Sequence, residues 1–261
     1  MSSYQALALS YDALTTDVGY RRRAEYLDRL LKKSRLPVHT VLDLACGTGT
    51  LTCLLAEMGY EMIGVDGSED MLAQAQTKAM NVKGERPLFL HQTMPKLDLY
   101  GTVEAAVSCL DSINYLTDLR DLKRTLERLH LFIAPGGLLV FDVNSVEKME
   151  TLDGQVFLDE QEDVYCVWRA SYSRRSRILT YGMDIFQRRG QMWQRSTEEH
   201  RERAWSVEEL TEQLTAAGFT DIHVWGDLKH TPPAPGEQRL IFTAIRGLEP
   251  QTEKTQKRKR A

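Results

Sequence analysis

The sequence predicts an α/β fold: a doubly wound sheet of about seven strands with an antiparallel β segment inserted before its last helix. Three observations carry this. Short apolar runs alternate with helical patterns from residue 40 to residue 143. The first run leads through Asp43-Leu44-Ala45-Cys46-Gly47-Thr48-Gly49 into a helix, a turn of small residues that lets a backbone approach a ligand closely. After Asn144 the alternation gives way to three successive strand patterns.

Taken in order, residues 20–33 hold apolar positions at Ala24, Leu27, Leu30 and Leu31, the spacing of an amphipathic helix. Residues 40–44 form the first strand. A helix follows over 50–58, and Gly59 suits its C-cap. Residues 62–66 are the second strand. Ser68 is a good N-cap for the next helix, with Glu69 and Asp70 complementing its dipole. Residues 87–91 and 105–110 are strands three and four. A long amphipathic helix covers 119–132, Ala134-Pro135-Gly136-Gly137 is a hard stop, and 138–143 is strand five. Strands alternating with helices imply a parallel sheet covered on both faces.

Within the inserted segment, residues 165–172, 177–186 and 191–197 read as strands of an antiparallel meander, separated by turn-compatible Ser173-Arg174-Arg175 and Arg188-Arg189-Gly190. Ser206-Val207-Glu208-Glu209 is a capping box opening a helix that stops at Gly218. Residues 221–225 and 239–245 complete the sheet. The organisation expected is a core of residues 1–149 and 205–247, an inserted lid at 150–204, and a disordered basic tail at 248–261.

A chain of 261 residues, 42% hydrophobic, suits one large domain with an insertion. A net charge of -4 does not suit a body built for a polyanion, so a nucleic-acid partner is not expected. No apolar run approaches the roughly 20 residues that span a bilayer, and the N-terminus lacks the pattern of a signal peptide. Four cysteines without C-x-x-C spacing read as reduced thiols of a cytoplasmic protein. Six scattered histidines, with no H-x-x-x-H pair, give no support to a metal site.

The glycine turn narrows the ligand. Asp66 ends the second strand 19 residues after Gly47, where an acid can reach both hydroxyls of a ribose. The alternative role for this acid is to cap the turn before Ser68. A dinucleotide site wants a third small residue after the turn, and Thr52 occupies that position. No Lys or Arg lies between Leu42 and Met62 to meet a diphosphate, and no G-K-[ST] follows the turn. An adenosine without phosphates remains.

Here the chain resembles the class I S-adenosylmethionine-dependent methyltransferases, whose first motif is an acid in a strand followed by x-G-x-G. The similarity extends over nearly the whole chain. Tyr4-Gln5-Ala6-Leu7-Ala8-Leu9-Ser10-Tyr11-Asp12 looks like the N-terminal segment of a largely uncharacterised bacterial group, as do Leu110-Asp111-Ser112-Ile113-Asn114-Tyr115-Leu116, Phe141-Asp142-Val143-Asn144 and Trp205-Ser206-Val207-Glu208-Glu209-Leu210. The resemblance implies a Rossmann-like sheet that binds S-adenosyl-L-methionine and releases S-adenosyl-L-homocysteine. It implies that Gly47 and Gly49 approach the methionine moiety or ribose, and that Asp43 acts indirectly by holding the loop or a water near the ammonium group. Gly67 and Met71 line the adenine pocket on this reading, although Met71 also fits a core position. Relatives place an aspartate after strand three to bond the adenine amino group. This chain has Thr93 there, which leaves the contact to its hydroxyl, to Gln92, or to the backbone of Met94. Leu110 offers its backbone at the end of strand four.

Asp111, Asn114, Tyr115, Tyr11 and Tyr20 are the candidates for the reaction centre. Asp111 is the possible general base for an alcohol or phenol acceptor, or a binder of an amine. In the lid, Tyr165 and Trp193, among Trp168, Tyr172 and Tyr181, are candidates for acceptor contact or for packing. Asp111-Ser112-Ile113-Asn114 is not the [DN]-P-P-[YF] of DNA N-methylation, and no Pro-Cys supplies a C5 nucleophile. The expected activity is N- or O-methylation of a small molecule. The alternatives are an RNA or protein methyltransferase guided by the basic tail, and a non-catalytic cofactor-binding protein.

Overall fold

The structure, a computed structural model, describes residues 7–8, 10–15 and 18–248. The basic tail therefore lies outside the described residues, apart from Leu248. From the N-terminus the elements are α1 (Tyr11–Leu14), α2 (Tyr20–Lys32), β1 (Thr40–Leu44), α3 (Thr50–Glu57), β2 (Glu61–Asp66), α4 (Glu69–Ala79), β3 (Leu88–His91) and β4 (Val103–Ser108). There follow α5 (Leu119–Phe132), β5 (Ile133–Asn144), α6 (Val146–Thr151), β6 (Val156–Glu160), β7 (Val164–Ser173), β8 (Ile178–Arg189), β9 (Met192–Arg203), α7 (Val207–Ala216), β10 (Phe219–Gly226) and β11 (Arg239–Arg246).

Seven strands form the main sheet in the order β10-β11-β5-β4-β1-β2-β3. Its strands pair in parallel, except that β11 runs antiparallel to both of its neighbours. Alternation along each strand divides the core in two. Leu42, Leu44 and Ala106 face α5 and α7, whereas Val41, Ala105 and Val107 face α2 and α3. Burial of each large side chain contributes about 1.5–3 kcal/mol, which is why a one-residue register slip is not tolerated here. Helix α5 buries Leu122, Leu126, Leu129 and Phe132 on one stripe, and Asp118 caps it by accepting from the Arg120 amide at 2.8 Å. The Ser206 capping box is fully formed, and Ser68 caps α4.

The helix pattern of residues 119–132 ends where expected, but Ala134–Gly137 does not separate it from the next strand. β5 begins at Ile133, with Gly136 at φ +83° and a register shift against β4 absorbing the irregularity. A Cβ on Gly137 would lie 2.6 Å from the Glu104 carbonyl, so the strand approach itself requires glycine there. α6 and β6 are additions that the sequence pattern did not reveal.

The second sheet has four antiparallel strands in the order β6-β7-β8-β9. Its register places Cys166, Trp168 and Ala170 of β7 on the same face as Ile185, Met183 and Tyr181 of β8 and His200 of β9. That face packs on Leu7, Tyr11, Leu14 and Met149. Tyr165, Phe186 and Arg195 share the opposite face. The end of β9 joins the main body where β4 and β5 finish. Asn114 Nδ2 donates to the Arg203 carbonyl at 2.9 Å, and Trp205 Nε1 to the Leu116 carbonyl at 3.1 Å.

Candidate functional site

The site grows out of the turn after β1. Ala45, Gly47 and Gly49 all have positive φ, so the chain reverses within five residues and delivers α3 against the sheet. The two glycines do different things. A Cβ on Gly47 would meet nothing within 4 Å, whereas one on Gly49 would lie 2.8 Å from Ala75 Cβ and 3.0 Å from the Phe89 ring. Gly47 therefore leaves open space beside a ligand cleft, and Gly49 permits the turn to pack on α4 and β3.

The Asp66 carboxylate ties this turn to the next. Oδ2 accepts from the Gly47 amide and Oδ1 from the Ser68 amide, both at 2.8 Å. Burial pushes its pKa up, and these amides oppose the rise. Asp43 is buried and accepts from Thr52 Oγ1 at 2.6 Å; burial pushes it up to about 6.

A cleft of about 520 Å³ opens at this edge of the sheet. Ala45, Gly47 and Asp66 line one wall, Thr93 and Met94 one end, and Cys109 and Leu110 the base. Tyr11, Tyr20 and Tyr115 line it as well. α1 is held against the glycine turn by Asp12, which accepts from Thr48 Oγ1 at 2.7 Å and pairs with Lys78 at 2.7 Å.

The base of the cleft is set by a buried carboxylate. Leu110 and Asp111 are consecutive residues at φ +61° and +57°, a conformation that costs a side-chain-bearing residue about 1–3 kcal/mol. Their amides donate to Asp142 Oδ2 and Oδ1 at 2.9 and 2.7 Å. Arg23 pairs with the same carboxylate at 3.2 Å, and Arg239 pairs with it as well. Burial alone would raise the Asp142 pKa, but the two guanidinium groups and two amides hold it below the ordinary value. Nearby, Glu202 is buried and accepts from Asn144 Nδ2 at 3.3 Å; burial and the Asp111 carboxylate push it up to about 8.

Of the residues expected from the sequence, Asp43, Gly47, Asp66, Gly67, Met71, Thr93, Met94, Leu110, Tyr11, Tyr20 and Tyr115 all line this one cleft. Five do not. Gly49 packs against α4. Asp111 Oδ1 accepts from Arg239 at 2.6 Å. Asn114 is buried, its amide joining Arg203 to the Asn144 amide. Tyr165 and Trp193 lie on the outward face of the four-stranded sheet beside Phe186, at a separate surface recess. The inward aromatics of that sheet are Trp168, Tyr172 and Tyr181, with Trp168 and Tyr172 out of phase with Tyr165 on the same strand. Gln92 lines the cleft too, while its side-chain amide bridges both backbone groups of Asp98.

Sequence reasoning passed over Asp142, Arg239, Glu198, His200 and Glu202. The strand pattern stopped at residue 197, just short of three polar residues at i, i+2 and i+4 that all turn inward. That spacing was the available signal. Among the described residues, no cluster of His, Cys, Asp and Glu is arranged to hold a metal ion. No helix among them is long and apolar enough to cross a membrane.

Comparison with known proteins places this geometry. The methyltransferase domain family matches residues 41–137, from β1 into β5. The chain is 35% identical over 245 residues to YqeM of Bacillus subtilis (strain 168), a protein named as a methyltransferase, covering 92% of this chain and 96% of that one. It superposes with a TM-score of 0.84 on an S-adenosylmethionine-dependent methyltransferase of Clostridium acetobutylicum, at 26% identity over 94% of this chain and all of that one. The amino pentose methyltransferase CalS10 of Micromonospora echinaspora shares the fold, with a TM-score of 0.71, 20% identity, and 94% and 98% of the two chains covered.

Proposed function

Because this chain belongs to the class I S-adenosylmethionine-dependent methyltransferases, we propose that it methylates a nitrogen or oxygen atom of a small molecule. The observation that carries the proposal is the scale and lining of the cleft. At about 520 Å³, with three tyrosines and the base of β4 around it, it has the dimensions of a small-molecule site. The names of two relatives agree with such an acceptor: CalS10 is an amino pentose methyltransferase, and a mouse glycine N-methyltransferase is 36% identical over 135 residues, 46% of this chain.

The residues present fit the cofactor. The open space at Gly47 is a cradle that a side chain would fill. On this reading the remaining lone pairs of Asp66 accept from the ribose hydroxyls, Asp43 steadies the turn through Thr52, and Thr93 with the Met94 backbone meets the adenine. Leu110 offers its backbone to the amino-acid end, held in position by Asp142. When bound, the cofactor supplies an electrophilic methyl group on a sulfonium. The protein's own contribution is alignment of the acceptor and exclusion of water. Tyr11, Tyr20 and Tyr115 face the acceptor. Asp111, neutralised by Arg239, acts through the base of the cleft rather than as the base in the reaction.

Calorimetric titration with S-adenosylmethionine, its demethylated product and NAD tests the cofactor assignment. Incubation of the protein with methyl-labelled cofactor and a metabolite extract then tests the acceptor. Label in one small molecule supports the proposal. Label in RNA or protein alone, or binding without any turnover, would replace it.

A further inference from the structure

We propose that Tyr115, His200 and Glu198 form a relay that removes the proton released by the methyl acceptor. The inference rests on the methyltransferase reading and deepens it: the acceptor is a nitrogen or oxygen nucleophile that carries an exchangeable proton.

The relay runs from the cleft into the four-stranded sheet. Tyr115 lines the cleft, and its hydroxyl lies 3.1 Å from His200 Nδ1. The two rings meet edge to face, with centroids 5.9 Å apart. His200 Nε2 lies 2.9 Å from Glu198 Oε2, and the histidine and glutamate side chains are only 2% and 6% exposed. Glu198 Oε1 accepts from the Leu7 amide at 3.1 Å. Glu198 and His200 share the inward face of β9 because they are two residues apart in a strand.

The bonding pattern gives the relay its direction. In the relay, Nε2 of His200 donates to Glu198 Oε2, while the other carboxylate oxygen accepts from the Leu7 amide. Nδ1 then presents a lone pair to the Tyr115 hydroxyl, which donates to it. A proton can therefore enter from the cleft without rearrangement of any heavy atom. As the acceptor's lone pair forms the new bond to carbon, the electron pair of the broken methyl–sulfur bond stays on sulfur. The acceptor's surplus proton passes to Tyr115 Oη while the Tyr115 proton passes to His200 Nδ1. The product is an imidazolium held against the Glu198 carboxylate, the pairing that makes the charge tolerable in a buried site. Tyr115 is the catalytic residue, and His200 and Glu198 position and discharge it.

The decisive measurement is the protonation pattern of His200 in the full-length protein, labelled with nitrogen-15 at histidine and saturated with S-adenosylhomocysteine at pH 7.5. Long-range proton–nitrogen spectra, assigned with His200→Gln, are expected to show a neutral ring protonated at Nε2. Tyr115→Phe should move the Nδ1 resonance and leave Nε2 in place. An imidazolium, or a ring protonated at Nδ1, would overturn the relay because no lone pair would then face the cleft. Kinetics provide the second readout, using the acceptor labelled in the metabolite extract. Tyr115→Phe and His200→Gln should each lower kcat by about 100- to 1000-fold, the range of general-base catalysis, with KM for the cofactor within about threefold. Loss confined to KM would refute the relay. Failure of the methyltransferase reading itself would show separately, as absent cofactor binding by the wild-type protein in calorimetry.

Discussion

Replacing Glu202 with Gln should make the protein more stable in alkaline solution than the wild type. Glu202 is 2% exposed, and its Oε2 accepts from Asn144 Nδ2 at 3.3 Å. Burial first, and then the Asp111 carboxylate, push its pKa up to about 8 from an ordinary 4.5. The native state thus binds a proton that the unfolded chain has already released between these values. By linkage, wild-type stability attributable to this group is complete below the ordinary value and falls as pH rises toward 8. It is level again once both states are ionised. At about 1.4 kcal/mol for each pH unit, the loss is no more than about 5 kcal/mol, and solvent relaxation around the buried group brings the expected figure to about 2–4. Gln copies the shape of the neutral acid and cannot ionise. Urea denaturation of both proteins from pH 4.5 to pH 9.5 isolates the effect, because Asp43 and every other titrating group are common to the pair. The difference in unfolding free energy should drift in favour of Glu202→Gln across that interval and level off above pH 8. Parallel profiles would mean that Glu202 is already ionised in the native protein at neutral pH.

Asp142→Asn leaves Arg23 without its buried partner, and should cost about 3–5 kcal/mol in urea denaturation together with cofactor affinity. The wild-type contribution of Asp142 is present above the ordinary carboxylate pKa and is lost as pH falls through its depressed native value, so the two proteins should converge in acid. Asp66→Ala should weaken cofactor binding by about 2–4 kcal/mol in calorimetry. It should also destabilise the fold by about 1–3 kcal/mol, because the carboxylate holds two backbone amides. Gly49→Ala places a methyl group 2.8 Å from Ala75 Cβ and should lower the melting temperature; Gly47→Ala, with open space around it, should chiefly lower cofactor affinity. Tyr165→Ala combined with Trp193→Ala should leave kcat and KM for the acceptor unchanged, since both lie on the outward face.

The central α/β pattern was legible because each element combined periodicity with punctuation. Residues 40–44 are a short, nearly continuous buried run before a glycine turn, and residues 119–132 lie between an aspartate cap and a proline. β6 was not legible: Val156-Phe157-Leu158 has no polar alternation, and all three residues are at least partly open to solvent. At the cleft, the cofactor wall could be read locally because Gly47 and Asp66 sit in recognisable turns. The other wall is made by long-range partners. Tyr115 meets His200 across 85 residues, and no local pattern announces that distance. The choice of Tyr165 and Trp193 failed for a narrower reason, since a strand shows which residues share a face but not which face is covered.

The Asp142 cluster joins residues that lie far apart in the chain. Arg23 and Arg239 stand 119 and 97 positions from the carboxylate they flank, and Arg239 reaches it only because β11 runs against its neighbours. Closing contacts across such separations is the slow part of assembling a chain. The turn at Leu110 and Asp111 therefore acquires its full support only after the last strand has inserted between β5 and β10. A chain still missing that strand can complete the glycine turn and Asp66, but not the base of the cleft. The finished binding site consequently depends on the C-terminal strand, and a truncation that removes β11 would take away the ionic partner of Asp111, 128 positions upstream.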